Sequence, residues 1–104
     1  MDGIEISLIN QEPRVDSRLI AKRMGVDHRV TYRLIGKFKE QFAEFGKVCF
    51  QNAPSASGQT QKFVALNEDQ SVFLLTLTRN SPDAVPLKVE LTKAFARYRK
   101  AFNR

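Results

Sequence analysis

The stretch from Asp16 to Gly36, "DSRLIAKRMGVDHRVTYRLIG", holds two short amphipathic patterns separated by one glycine, and it leaves the chain few ways to fold. Asp16 or Ser17 can cap a helix running to about Met24, because their side-chain oxygens accept from the free N–H groups of a first turn. Gly25 ends that helix, since glycine enters the left-handed C-cap conformation without a Cβ clash. A second helix is expected from Asp27 or His28 to Phe45, with Val30, Leu34, Phe38, Phe42 and Phe45 as its inward stripe and Gly46 as its stop. Helices joined this tightly cross closely, which needs a small residue at the crossing and a turn residue free to adopt positive φ. Ala21 and Gly25 suit those two jobs. Ile20, Met24, Val26 and Leu34 would form the core beneath, while Thr31 stands where a Val or Ile is expected, its γ-methyl still able to pack.

Around this pair the periodicity changes. Residues 4 to 9 read as a short strand and residues 10 to 14 as a turn. Residues 47 to 51 and 62 to 66 are strand-like and flank a polar loop of small residues, 52 to 61, which makes a long-tipped hairpin. Asn67 is placed to cap a helix with Glu68 and Asp69 in its first turn, and Val72, Phe73, Leu75 and Leu77 make that helix mostly buried. Residues 79 to 86 break it. A last helix is expected near Pro86, with Leu87, Leu91, Phe95, Tyr98 and Phe102 on one stripe and Lys93, Arg97, Lys100 and Arg104 on the other face. A strand, a tightly joined helix pair, a hairpin and two more helices amount to an α+β fold. In particular they suggest a winged helix-turn-helix with a small antiparallel sheet and additional C-terminal helices. The 104 residues suffice for one such domain, 1–104.

Charge placement narrows the function. The net charge is +6. Residues 14 to 39 carry Arg14, Arg18, Lys22, Arg23, Arg29, Arg33, Lys37 and Lys39 against Asp16 and Asp27, which is already +6. A field so concentrated suits a polyanion-binding face, although a charge run is also how a solvated helix face looks. Apolar runs are too short for a membrane span, and the acidic start lacks a secretory n-region, so a cytoplasmic protein is expected. One cysteine, Cys49, and one histidine allow neither an internal disulfide nor a thiolate zinc site, and no cofactor is expected. With no nucleophile elbow, P-loop or dinucleotide pattern, catalysis is not expected either.

With the second helix's stripe turned inward, Arg29, Tyr32, Arg33 and Gly36 fall on its outer face. Arginine can bond bidentately to guanine or clamp a phosphate, tyrosine adds a hydroxyl on a flat ring, and Gly36 would let a backbone approach closely or pack against a neighbour. Asp27, expected to cap, and His28 open this helix at the end that would enter a major groove, with Lys37 farther along it. Arg18, Lys22 and Arg23 on the first helix would reach flanking phosphates. Lys47 and Lys62 sit at the base of the hairpin, with Gln59, Thr60 and Gln61 able to add neutral hydrogen bonds. Phe95, Tyr98 and Phe102 would complete the core or seal a homodimer through the C-terminal helix.

These residues also carry a resemblance. "SRLIAKRMG" (Ser17, Ile20, Ala21), "HRVTYRLI" (His28, Arg33, Ile35), "KFVALNEDQSVFLL" (Leu66, Asn67, Leu75) and "LKVELTKAF" (Lys88, Leu91, Phe95) occur in the order found in the Rha family of phage and prophage regulatory proteins, which the chain resembles over roughly residues 14 to 102. Thr31 replaces the family's usual aliphatic residue, and Glu68-Asp69-Gln70 stands where a glycine commonly follows an acid. The resemblance implies a phage-type transcriptional regulator that binds double-stranded DNA, cytoplasmic and nucleoid-associated in a bacterial host, either a short stand-alone form or the N-terminal part of a longer product. The competing expectation is a protein-binding module, such as an antirepressor acting on a phage or host regulatory protein.

Overall fold

The computed structural model describes residues 4–78 and 82–102, with the side chain of Phe102 left aside. The element order is β1 (Ser7–Ile9), β2 (Glu12–Asp16), α1 (Ser17–Met24), α2 (His28–Lys37), α3 (Lys39–Ala43), β3 (Cys49–Pro54), β4 (Thr60–Leu66), α4 (Glu68–Leu77) and α5 (Ala84–Phe102). The four strands form one antiparallel sheet in the order β1-β2-β4-β3. The fold is therefore mixed, with five helices among the described residues. No helix there is long and apolar enough to cross a membrane.

The first departure from the sequence reading is at the N-terminus. The expected strand over 4–9 is confined to Ser7–Ile9, and the expected turn over 10–14 is mostly strand β2. Asn10 and Gln11, at φ 56° and 66°, make a tight two-residue turn that pairs Ile9 with Glu12 and Ser7 with Arg14. This hairpin carries Arg14 into the interior, where it is 1% exposed, so one of the eight cations counted into the surface field is buried. Its guanidinium donates to the carbonyls of Ile9 (3.2 Å), Lys47 (2.9 Å) and Ala65 (2.9 Å), to Gln70 Oε1 (3.2 Å) and to Glu12 Oε1 (2.8 Å).

Gln70 and Asn67 extend that network. Asn67 caps α4 in a reciprocal box, its Oδ1 accepting from the Gln70 N–H at 2.8 Å while Gln70 Oε1 accepts from the Asn67 N–H at 3.0 Å. Gln70 Nε2 donates to the carbonyls of Phe42, Gly46 and Lys47, and Asn67 Nδ2 to the Phe45 carbonyl at 2.7 Å. Gly46, at φ +141°, lies against this amide: a Cβ there would meet Asn67 Nδ2 at 2.6 Å.

The second departure is the helix expected over 28–45. It breaks at Phe38 (φ −109°, ψ 31°) into α2 and α3, two residues after Gly36, a poor helix former. Its inward face is Thr31 and Ile35, not the Val30-to-Phe45 stripe. Val30 and Phe45 are exposed, Leu34 and Phe38 half-buried, and only Phe42 is fully enclosed. The reason is geometric: each four-residue step overshoots a turn by about 40°, so a line from Val30 to Phe42 winds through about 120° and cannot stay on one face. Thr31, which looked out of place, is 3% exposed and faces the core. Val26 is likewise exposed rather than buried.

Elsewhere the differences are smaller. The β3–β4 strands run to Pro54 and from Thr60, leaving residues 55–59 as the tip in place of a loop over 52–61. In α4 the deepest residues are Gln70, Ser71, Leu74 and Leu75, with Val72, Phe73 and Leu77 half-buried. Helix α5 starts at Ala84 and buries Leu87, Leu91, Ala94 and Phe95 in the chain's own core, with Tyr98 half-buried. The expected roles of Phe102 and Arg104, and part of the break over 79–86, lie outside the described residues.

Replacing Arg14 by Met would remove five donated hydrogen bonds at once, those to the carbonyls of Ile9, Lys47 and Ala65, to Gln70 Oε1 and to Glu12. Removing one partner of a buried charged network costs about 3–5 kcal/mol, and Arg14→Met should lower the urea unfolding midpoint accordingly, whereas Arg97→Met on the exposed face of α5 should leave it nearly unchanged.

Candidate nucleic-acid interface

Two aspartates start the helix pair in the same way. Asp16 caps α1 and Asp27 caps α2, each accepting from the backbone N–H two residues on, at 2.8 Å from Arg18 and 2.9 Å from Arg29. Each carboxylate also holds that arginine's guanidinium, Asp16–Arg18 at 2.6 Å and Asp27–Arg29 at 2.9 Å. The hydrogen bonds from Arg29 hold the Asp27 carboxyl at about 2, and the same bond raises the Arg29 guanidinium in turn. Gly25, in the left-handed conformation at φ 71°, ends α1, and the Val26 N–H returns to the Ala21 carbonyl at 3.0 Å. Ala21 is buried at the crossing, as its size requires.

The helix pair is then tied to the sheet through one hydroxyl. Ser17 Oγ accepts from the Val64 N–H of β4 at 3.0 Å and lies 2.9 Å from His28 Nε2, joining the first residues of α1 and α2 to the central strand. Desolvation, the largest influence on His28, holds its imidazole below the ordinary value of 6.5. The hydroxyl, with one donor and two lone pairs, can meet both the Val64 N–H and the His28 ring nitrogen.

Held this way, α2 and the start of β4 form the two walls of an open cleft of about 1100 Å³. Asp27, His28, Arg29, Tyr32, Arg33, Gly36 and Lys37 line one side and Thr60, Gln61 and Lys62 the other. Arg29, Arg33, Gly36 and Lys37 are exposed, while Tyr32 is half-buried with its ring 6.0 Å from both His28 and Phe50. Phe50 was not singled out in the sequence; it is an exposed aromatic on β3, with Lys39 Nζ 6.0 Å from its ring. Its place beside Tyr32 follows from the β3–β4 register, which no local pattern reveals. At Gly36 an added Cβ would meet nothing within 4 Å, so the glycine is not demanded by packing.

The other expected contacts are distributed differently. Arg18 stands at the cleft edge, donating to Gln61 Oε1 at 2.6 Å and stacking over Phe63 at 4.3 Å. Arg23 points to α5, paired with Glu90 at 2.8 Å, and Lys22 is exposed on α1. Lys47 is exposed outside the cleft lining, its carbonyl engaged by Arg14 and Gln70. Within the described residues Arg33, Lys37 and Lys62 meet no carboxylate, so their charge is available to an anion across the cleft. No group of His, Cys, Asp and Glu among the described residues is arranged to hold a metal ion.

Comparison with known proteins places the chain clearly in one respect. The family model of phage regulatory protein Rha matches residues 15–100, most of the chain. Neither the curated proteins nor the solved structures contain a significant match.

The His28 environment has a pH signature. A histidine whose folded value lies below its unfolded 6.5 resists the proton, so stability is full above about pH 6.5 and falls as pH drops through the folded value. Urea midpoints at pH 7.5 and pH 5 should diverge for the native chain more than for His28→Gln.

Proposed function

Because the chain belongs to the family of phage regulatory protein Rha, we propose that it is a regulator that binds double-stranded DNA sequence-specifically through a winged helix-turn-helix. In this reading α1 and α2 are the helix pair, α2 enters the major groove, and the β3–β4 hairpin is the wing that meets the backbone. The observation that carries it is the cleft, in which Arg33, Lys37 and Lys62, uncompensated among the described residues, converge from a helix and a hairpin. Arg33 lies near the centre of the exposed face of α2 and suits guanine O6 and N7, whereas Lys37 and Lys62 suit phosphates. Gly36 supports the same reading. Its place in a helix costs about 1 kcal/mol relative to Ala, no neighbour among the described residues requires it, and a DNA backbone lying close would.

A second copy of the chain is part of the proposal. The stripe of Leu87, Leu91 and Phe95 is spent on the chain's own core, but Val85 and Val89, 68% and 48% exposed, stand one turn apart on α5 outside it. They are apolar surface that a homodimer through this helix would cover, and two-fold DNA sites would follow.

Four outcomes check this reading. Affinity for duplex DNA, measured by fluorescence anisotropy, should fall steeply with salt, and Lys62→Ala should reduce the log–log slope by about one. Arg33→Ala should weaken binding to a selected site by about 1–3 kcal/mol. Gly36→Ala should raise the unfolding temperature and yet weaken binding; tighter or unchanged binding would remove the close-approach argument. Sedimentation should give a dimer that Val89→Glu converts to a monomer.

A further inference from the structure

The stripe that the sequence assigns to the core leaves one residue on the wrong side of α2 for that purpose. Val30 is 54% exposed, one of the most open large apolar side chains of the fold, and the core face of the helix is Thr31 and Ile35. A single exposed valine is ordinary on a solvated helix. This one stands among cations: at about 100° per residue, Val30 lies about 60° from Arg33 and about 20° from Lys37, on the exposed face of the helix though not in the cleft lining. A β-branched residue there adds nothing to helix propensity that Lys or Glu would not exceed, and the flanking charges make an apolar protein partner a poor fit.

We infer that Val30 packs its methyl groups against the C5-methyl of a thymine, making it a specificity-determining residue beside Arg33. The inference rests on the proposed entry of α2 into the major groove. There the thymine methyl is the one apolar feature that distinguishes base pairs, and small aliphatic side chains contact it. Phosphate-seeking lysine and guanine-seeking arginine cannot read that methyl, so Val30 supplies a chemistry the rest of the face lacks. The site bound by each copy then contains a thymine next to the base read by Arg33.

The test uses the intact chain and a duplex recovered by selection from a random pool. Each thymine in turn is replaced by deoxyuridine, which removes only the methyl, and affinities are measured for the native chain and for Val30→Ala. The native chain should lose about fourfold at one thymine position per half-site, the value of burying one methylene-sized group, and Val30→Ala, whose shorter side chain covers less of the methyl, should show a clearly smaller loss. Indifference of the native chain at every thymine, a recovered site without thymine, or an unchanged thymine preference in Val30→Ala would overturn the inference while leaving DNA binding by Arg33 and Lys62 intact. Failure to recover or retain any duplex would sink the DNA reading and the inference with it. Because Val30 is exposed, circular dichroism of Val30→Ala should match the native chain.

Discussion

The guanidinium of Arg14, closed off from water, is the constraint on which the rest of the arrangement depends. A cation removed from solvent costs several kcal/mol unless its donors are met, and here the acceptors come from β1, the start of β2, the β3 approach, β4 and α4 together. Gln70 and Asn67 hold the carbonyls between Phe42 and Lys47 in the same network. The turn from α3 into the hairpin is thus held to the N-cap of α4, with the Gly46 backbone pressed against Asn67. Partial formation leaves buried polar groups unpaired, which ties these segments into one cooperative unit.

Placement of the helix pair follows from where this network sets β4. Val64 offers its N–H to Ser17, Ser17 meets His28, and α2 is thereby aimed along the hairpin rather than away from it. The same packing thins the basic field. Arg14 is buried, Arg18 and Arg29 are held by their own cap aspartates, and Arg23 pairs with Glu90. What remains uncompensated within residues 14–39, among those described, is Lys22, Arg33, Lys37 and Lys39, a smaller and more sharply localised charge than the sequence total suggests.

Much of this was legible because it is local. The caps at Asp27 and Asn67, the α1 cap to within Asp16 or Ser17, the left-handed Gly25, the small Ala21 at the crossing and the outward Arg29, Arg33 and Gly36 all follow from side-chain chemistry within a turn or two. The β1–β2 hairpin is not legible locally because Asn10-Gln11 is a weak turn signal and Pro13 argues against a strand; Pro13 is tolerated because β4 pairs with β2 only at Val15 and Asp16, so no strand needs an N–H from it on that side. The inward stripe was misplaced because a run of four-residue spacings winds around a helix, and only contact with the core showed that Thr31 and Ile35 carry it.

By itself the sequence determined where α2 and α4 begin and, to within a residue, where α1 does, what ends α1 and which cations lie outward on α2, since capping, positive φ and helical period act over a few residues. Membership of the Rha family is equally a property of the residue order. Only the tertiary structure decided that Arg14 is a core residue, that Arg23 belongs to α5, that Phe50 stands beside Tyr32 and that Val30 faces out. Those outcomes depend on strand register and on hydrogen bonds spanning 30 to 70 residues, where the free energy lies in partners that no local window contains.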